Sequence, residues 1–206
     1  KKCGVVAASA GNHAQGVAIS AKHFGVKAII IMPEAAPLSK VSGTKALGAE
    51  VILKGNNFDE AYAYALEYAK DNNMSFIHPF DDELVQAGQG TIALEMLDEV
   101  SNLDYMVVPV GGGGLISGVA SCAKQINPDI KIIGVSAKGA PAMFESFKDK
   151  CQHNSKSVRT IADGIAVRDA SQITLSHILE CVDEMVQVDD EEIAFKIKLK
   201  ELLKSL

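Results

Sequence analysis

Tryptophan is absent from this 206-residue sequence, and the remaining aromatics are only four tyrosines and seven phenylalanines. A stacking platform for single-stranded nucleic acid needs more flat rings than that. Positive charge is also short: 20 Lys and Arg against 26 Asp and Glu leave a net charge of −6, and no basic cluster offsets it locally. That balance excludes the electrostatic footprint of a nucleic-acid binder. No apolar run approaches the ~20 residues a bilayer span requires, and the first residues do not read as a signal peptide. Cysteine is sparse. Cys3, Cys122, Cys151 and Cys181 stand far apart with no Cys-x-x-Cys pair and no zinc-type spacing, so we expect reduced thiols in a cytoplasmic protein.

What remains is ordinary globular usage, 48% apolar and 22% charged, enough for a real core. Strands and helices alternate along it. Val26–Met32 reads as a short buried strand, rich in β-branched residues and stopped by Pro33, and Gly4–Ala8, Glu50–Leu53, Met74–Ile77, Tyr105–Val110 and Lys131–Ser136 read as further short strands. Ser39–Gly48, Thr91–Val100 and Leu115–Gln125 read as helices. Phe58, Ala61, Tyr62, Ala65, Leu66 and Ala69 mark the apolar stripe of another. The tail alternates at Phe195–Lys200 yet has helical spacing at Ile193, Ile197, Leu203 and Leu206, and we expect a helix. The pattern predicts an α/β fold with largely parallel sheets and sites at the carboxyl ends of strands.

Two glycine-bearing turns occupy such positions. Ser9-Ala10-Gly11-Asn12-His13 follows the first strand and opens a helix, whose unpaired N–H groups and dipole attract an anion. Val110-Gly111-Gly112-Gly113-Gly114-Leu115 does the same after the fifth strand, and four glycines let successive N–H groups form a nest for a phosphate. This second loop lacks the Gly-Lys-Ser/Thr ending of a nucleotide P-loop. It also misses the dinucleotide register, with Ser117 where the third glycine belongs, and the next strand ends at Ser136-Ala137-Lys138 without a ribose-binding acid. A dehydrogenase reading ranks last.

Ser9–Ala18, Ala87-Gly88-Gln89-Gly90-Thr91-Ile92-Ala93-Leu94-Glu95, Val108–Gly118 and Ile161-Ala162-Asp163-Gly164-Ile165-Ala166-Val167 together resemble the threonine dehydratases. These are fold-type II pyridoxal-phosphate (PLP) enzymes, related to tryptophan synthase β and including serine racemase. Order and spacing match from about Gly4 to Asp190. The resemblance implies two open parallel-sheet α/β domains: residues 3–82 as a small mobile domain contacting the substrate carboxylate, and 83–206 as part of the large domain holding the cofactor phosphate. It implies that Asn12 meets the phenolic oxygen of PLP, that Gly111, Gly112, Gly113, Gly114 and Leu115 cradle its phosphate, and that Gly164 lines the ring pocket. Ser9, Ala10, Gly11 and His13 fall at the substrate.

The implied chemistry is β-elimination from L-threonine or L-serine, giving 2-oxobutanoate or pyruvate plus ammonia, with the cofactor as electron sink. Serine racemases carry a serine at the position of Ala10, which returns a proton to Cα. Alanine cannot, and this favours elimination over the alternative, racemisation. Ser136 and Ala142 stand where those racemases place a metal-binding glutamate and aspartate, so no divalent metal site is expected. The family's cofactor-bearing lysine lies in a Ser-Phe-Lys segment that Lys1, Lys2 and Lys22 do not match, and we assign no catalytic residue. The C-terminal serine or cysteine facing the pyridine nitrogen is likewise unmatched. We therefore expect a central portion of a longer enzyme, inactive as this fragment, cytoplasmic and a homo-oligomer in its intact form. A non-catalytic ligand-binding module is the reading from a different class.

Overall fold

The computed structural model describes residues 3–100 and 102–204, with side chains as far as Lys198. Lys1, Lys2 and Leu206 lie outside the described residues, as do the side chains of Leu199, Lys200 and Leu203. The chain divides into two compact units, Lys1–Pro79 and Phe80–Leu206.

The first unit is a four-stranded parallel sheet in the order β3-β2-β1-β4, built from β1 (Val5–Ala8), β2 (Ala28–Met32), β3 (Glu50–Leu53) and β4 (Ser75–Phe76). Helices α1 (Asn12–His23), α2 (Leu38–Ala46) and α3 (Phe58–Asp71) connect the strands. Alternate residues of β1 and β2 go to opposite faces, as the period of two demands. Ala7, Ile30 and Met32 pack with Ala14, Ala18 and Val41 of α1 and α2. Val6, Ala8, Ile29 and Ile31 pack with Ala61, Ala65 and Ala69 of α3. A sheet covered on both faces explains why all five residues of β2 are buried and why that stretch is uniformly apolar. The α3 helix forms as expected, but only Ala61, Ala65 and Ala69 of the stripe are buried while Phe58 and Leu66 stay exposed. Asn57 caps it by accepting the Glu60 N–H at 3.0 Å.

The second unit holds a three-stranded parallel sheet, β5 (Tyr105–Pro109), β6 (Lys131–Ala137) and β7 (Glu184–Val188), in that order. Around it run α4 (Glu83–Glu99), α5 (Gly114–Ile126), α6 (Ala142–Asp149), α7 (Gln172–Cys181) and α8 (Asp190–Lys204). Its core joins Met106, Val108 and Val110 to Ile116, Val119 and Ala120 of α5 and to Leu175 and Ile178 of α7. The tail is helical, as expected.

One helix starts well before its expected residue. Thr91 is the expected start, but α4 begins at Glu83, because Asp82 accepts the Leu84 and Val85 N–H groups and caps it, so that Gly88 and Gly90 fall inside the helix. The glycines are there for different reasons. A Cβ on Gly90 would lie 3.2 Å from the Gly118 carbonyl oxygen, and one on Gly118 only 2.0 Å from that of Gln86. These two glycines let α4 and α5 touch backbone to backbone, while Gly88 faces open space. The helices α6 and α7 and the strand β7 are additional to the elements expected from the sequence.

Asp183, just before β7, ties that strand to its neighbour. Its carboxylate accepts the Ile132 N–H at 2.8 Å and pairs with Lys124 at 2.8 Å and Lys131 at 3.1 Å. Burial opposes its ionisation, but these donors outweigh burial and hold the carboxyl down to about 2.

Two predictions follow from this packing. Gly118→Ala should lower unfolding stability by about 3 kcal/mol through overpacking, whereas Gly88→Ala should raise it by about 0.5–1 kcal/mol through helix propensity; urea denaturation of both checks the contrast. Because Asp183 titrates lower in the folded chain than unfolded, its contribution is complete above about pH 4 and disappears as pH falls towards 2. Asp183→Asn should cost about 1–2 kcal/mol at pH 7 and flatten the pH dependence in that window, measured by denaturation at stepped pH.

Candidate functional site

In the first unit the β1 ladder extends one residue past the strand, where the Ser9 N–H donates to Ile31 at 3.2 Å. The chain then turns. Ser9 Oγ accepts the Gly11 N–H at 3.1 Å, and Gly11 becomes the N-cap of α1 without any side-chain cap of the helix itself. The N–H groups of Asn12, His13 and Ala14 are therefore left without backbone or side-chain acceptors among the described residues. Ser9, Ala10 and Gly11 are half-buried around this point and Asn12 is exposed, its carboxamide held by no described residue.

His13 is half-buried, and its Nε2 sits 3.1 Å from the Ile77 carbonyl oxygen. A carbonyl only accepts, so Nε2 carries the proton and Nδ1 is left as the acceptor. Burial pushes the imidazole pKa down, only partly opposed by the Ile77 hydrogen bond. The ring is neutral at pH 7. Its side-chain donor is thus committed within the protein, and what His13 offers outward as a donor is its backbone N–H.

In the second unit the four glycines connect β5 to α5, and Gly113 takes φ +92°, a left-handed conformation that admits glycine best. Neighbours crowd the positions where their side chains would be. A Cβ on Gly112 would lie 2.6 Å from the Phe80 ring, and one on Gly114 2.7 Å from the Phe80 Cα. One on Gly111 would lie 2.9 Å from the Ile165 Cα. Thr174 Oγ1 donates to the Gly112 carbonyl at 2.8 Å and so fixes that peptide from behind. Gly112, Gly113 and Gly114 are buried, yet the N–H groups from Gly111 through Leu115 meet no acceptor among the described residues. Successive buried donors at a helix N-terminus, in a loop where side chains are excluded, fit a phosphate.

Gly164 lies in a single 3-10 turn, Asp163–Ile165, exposed and open above its Cα. The neighbouring Ile165 brings this segment against Gly111. Phe80 and Thr174 are the contributors that sequence reasoning missed, because nothing local links them to a glycine loop distant in the chain, whereas Ile165 lies in the segment that the resemblance sets beside the cofactor. A cleft of about 540 Å³ beside Gln86, Gly90, Gly118 and Cys122 contains none of the predicted site residues. Among the described residues no group of His, Cys, Asp or Glu is arranged to hold a metal ion, and no helix is long and apolar enough to cross a membrane.

The sequence model of pyridoxal-phosphate dependent enzymes matches residues 1–199, a span that takes in both loops. The chain belongs to this family. It is 51% identical over 194 residues to an L-threonine ammonia-lyase of Thermotoga maritima, covering 94% of this chain and 48% of that protein. The fold is shared with the processed form of threonine deaminase isoform 2 from Solanum lycopersicum, at a TM-score of 0.86 and 43% identity over 91% of this chain and 55% of that one. Maize serine racemase matches at a TM-score of 0.90 and 36% identity, over 96% of this chain and 60% of that one. The chain spans about half the length of the curated relatives it matches. The fold-type II, parallel α/β expectation agrees with these likenesses.

The imidazole geometry makes a prediction. The His13 ring should titrate below the ordinary histidine value of 6.5, and its neutral form should show the Nε2–H tautomer; a two-dimensional NMR pH titration of the ring protons checks both.

Proposed function

We propose that this chain is part of a PLP-dependent L-threonine/L-serine dehydratase that releases 2-oxobutanoate or pyruvate and ammonia. The observation that carries this reading is the half-identical likeness to a threonine ammonia-lyase across a chain whose buried glycine loop offers unpaired donors to a phosphate. The same reading includes a cytoplasmic location and assembly as a homo-oligomer.

Each loop has a part. The N–H groups of Gly111 through Leu115 hold the cofactor phosphate, and the segment around Gly164 flanks the ring. Bound there, PLP supplies an electron sink for charge developing at the substrate Cα. The Asn12 carboxamide, exposed and unattached, donates to the phenolic oxygen of the ring. The Ser9 hydroxyl and the N–H groups of Asn12 and His13 bind the substrate carboxylate, aided by the positive end of the α1 dipole. Neutral His13 lowers the local charge that a cationic imidazole would add, so orientation rests on backbone donors. Ala10 holds no transferable proton, which leaves Cα without an acid on that side and disfavours racemisation. The lysine that bears the cofactor is assigned to no residue of this sequence.

The full-length protein should convert L-threonine to 2-oxobutanoate and ammonia, and Asn12→Ala should lower kcat/KM about 10–100-fold through loss of a hydrogen bond to a charged group. Accumulation of D-serine from L-serine without oxo acid would identify a racemase instead. Cofactor binding with neither product would leave a ligand-binding module.

A further inference from the structure

Asp189 and Asp190 are adjacent at the junction of β7 and α8 and do separate jobs. Asp189 caps α8: its Oδ1 accepts the Glu192 N–H at 2.9 Å while Glu192 Oε2 accepts the Asp189 N–H at 2.9 Å, a reciprocal capping box. Lys138 from the end of β6 clamps the pair, at 3.0 Å from Asp189 and 3.9 Å from Glu192. The helix end is therefore satisfied without Asp190.

Asp190 instead reaches to another segment. Its Oδ1 accepts the Thr160 hydroxyl at 2.6 Å and its Oδ2 accepts the Ile161 N–H at 3.1 Å. Thr160 Oγ1 in turn accepts the Ala162 N–H at 3.1 Å. One carboxylate thus fixes three successive residues directly or through a hydroxyl. Just before them, the Arg159 N–H donates to Gly139 at 2.9 Å, in a contact so close that a Cβ on Gly139 would fall 1.8 Å from the Arg159 carbonyl oxygen. Just after them the strap folds on itself, with Asp163 N–H to Ile161, Ile165 N–H to Ala162 and Val167 N–H to Ile165, all within 3.0 Å. These turns carry Ile165 and Val167 against Gly111, at 2.9 and 3.1 Å from a Cβ built there.

We propose that Asp190 is a positioning residue: it clasps Thr160 and Ile161 so that the strap Arg159–Val167 forms a fixed wall beside the Gly111 donor loop. This rests on reading that loop as the cofactor phosphate site. A bare first-turn acid on α8 would interact only with the helix dipole and would leave the strap unaffected. Asp190 differs in having both oxygens committed to a segment that belongs to no helix or strand at that point.

The test uses the full-length protein with four variants: Asp190→Ala, Asp190→Asn, Thr160→Val and Thr160→Ser. Amide hydrogen exchange of 160–167 and fluorescence titration with pyridoxal phosphate are measured on each, beside thermal melting. Asp190→Ala should speed exchange at Ile161 and Ala162 at least 10-fold and weaken cofactor affinity by a similar factor. Asp190→Asn and Thr160→Val should each do part of this, and Thr160→Ser, which keeps the hydroxyl, should restore wild-type behaviour. A fall in melting temperature with exchange and affinity both unchanged would make Asp190 an ordinary helix acid and overturn the proposal. So would faster exchange with unchanged affinity, because the strap would then not matter to the loop. If Asp190→Ala fails to fold, the Thr160 pair decides alone. Failure of the unaltered protein to bind pyridoxal phosphate would refute the cofactor reading, while the exchange measurements still judge the clasp.

Discussion

Contacts too close for a Cβ govern the second unit. Gly118 rests on the Gln86 carbonyl, Gly112 and Gly114 on Phe80, Gly111 on Ile165, and Gly139 on Arg159. Each is a place where two backbones, or a backbone and a ring, meet at a separation that only hydrogen at Cα allows. The placement of α4, the loop before α5 and the strap all follow from these contacts. Packing of this kind is steep in distance, so it fixes position more sharply than the apolar core around Ile116 and Leu175 does. The conformational freedom lost in ordering so many glycines is offset by tertiary contact rather than by local propensity.

The donor loop shows what that rigidity achieves. Its N–H groups are left unpaired in a buried setting, a condition that a folded chain rarely tolerates. They cannot relax towards internal acceptors because Phe80, Thr174 and Ile165 hold the peptides from three sides. The α1 turn is built by the opposite means. There the backbone is open and half-exposed, and a single serine hydroxyl shapes it. One loop is preformed by exclusion and the other by a hydrogen bond.

Much of this was legible in the residues themselves. The β-branched run of β2 identified a buried strand because burial on both faces demands a continuous apolar stretch. The Phe58–Ala69 stripe identified α3 because its period matches the helix. The glycine loops announced themselves through composition, and the resemblance to threonine dehydratases gave them a shared purpose. What stayed hidden is what depends on distant partners. Gly88 and Gly90 look alike in sequence, and only the neighbouring helix distinguishes them. Asp189 and Asp190 form an ordinary acidic start to a helix until Thr160 appears beside one of them. His13 reads as a donor to substrate until Ile77 claims its Nε2.

The short β1 segment sits between two fixed ends. At Gly4, with φ +137°, a Cβ would lie 2.5 Å from the Lys27 carbonyl oxygen, and at Ser9 the N–H is bonded to Ile31. Each end is referred to the same neighbouring strand, so the span from Gly4 to Ser9 acts as a gauge of fixed length. An inserted or deleted residue here would reverse which face each following side chain meets. The length of this stretch, more than the identity of any one side chain in it, is therefore what the register of the sheet depends on.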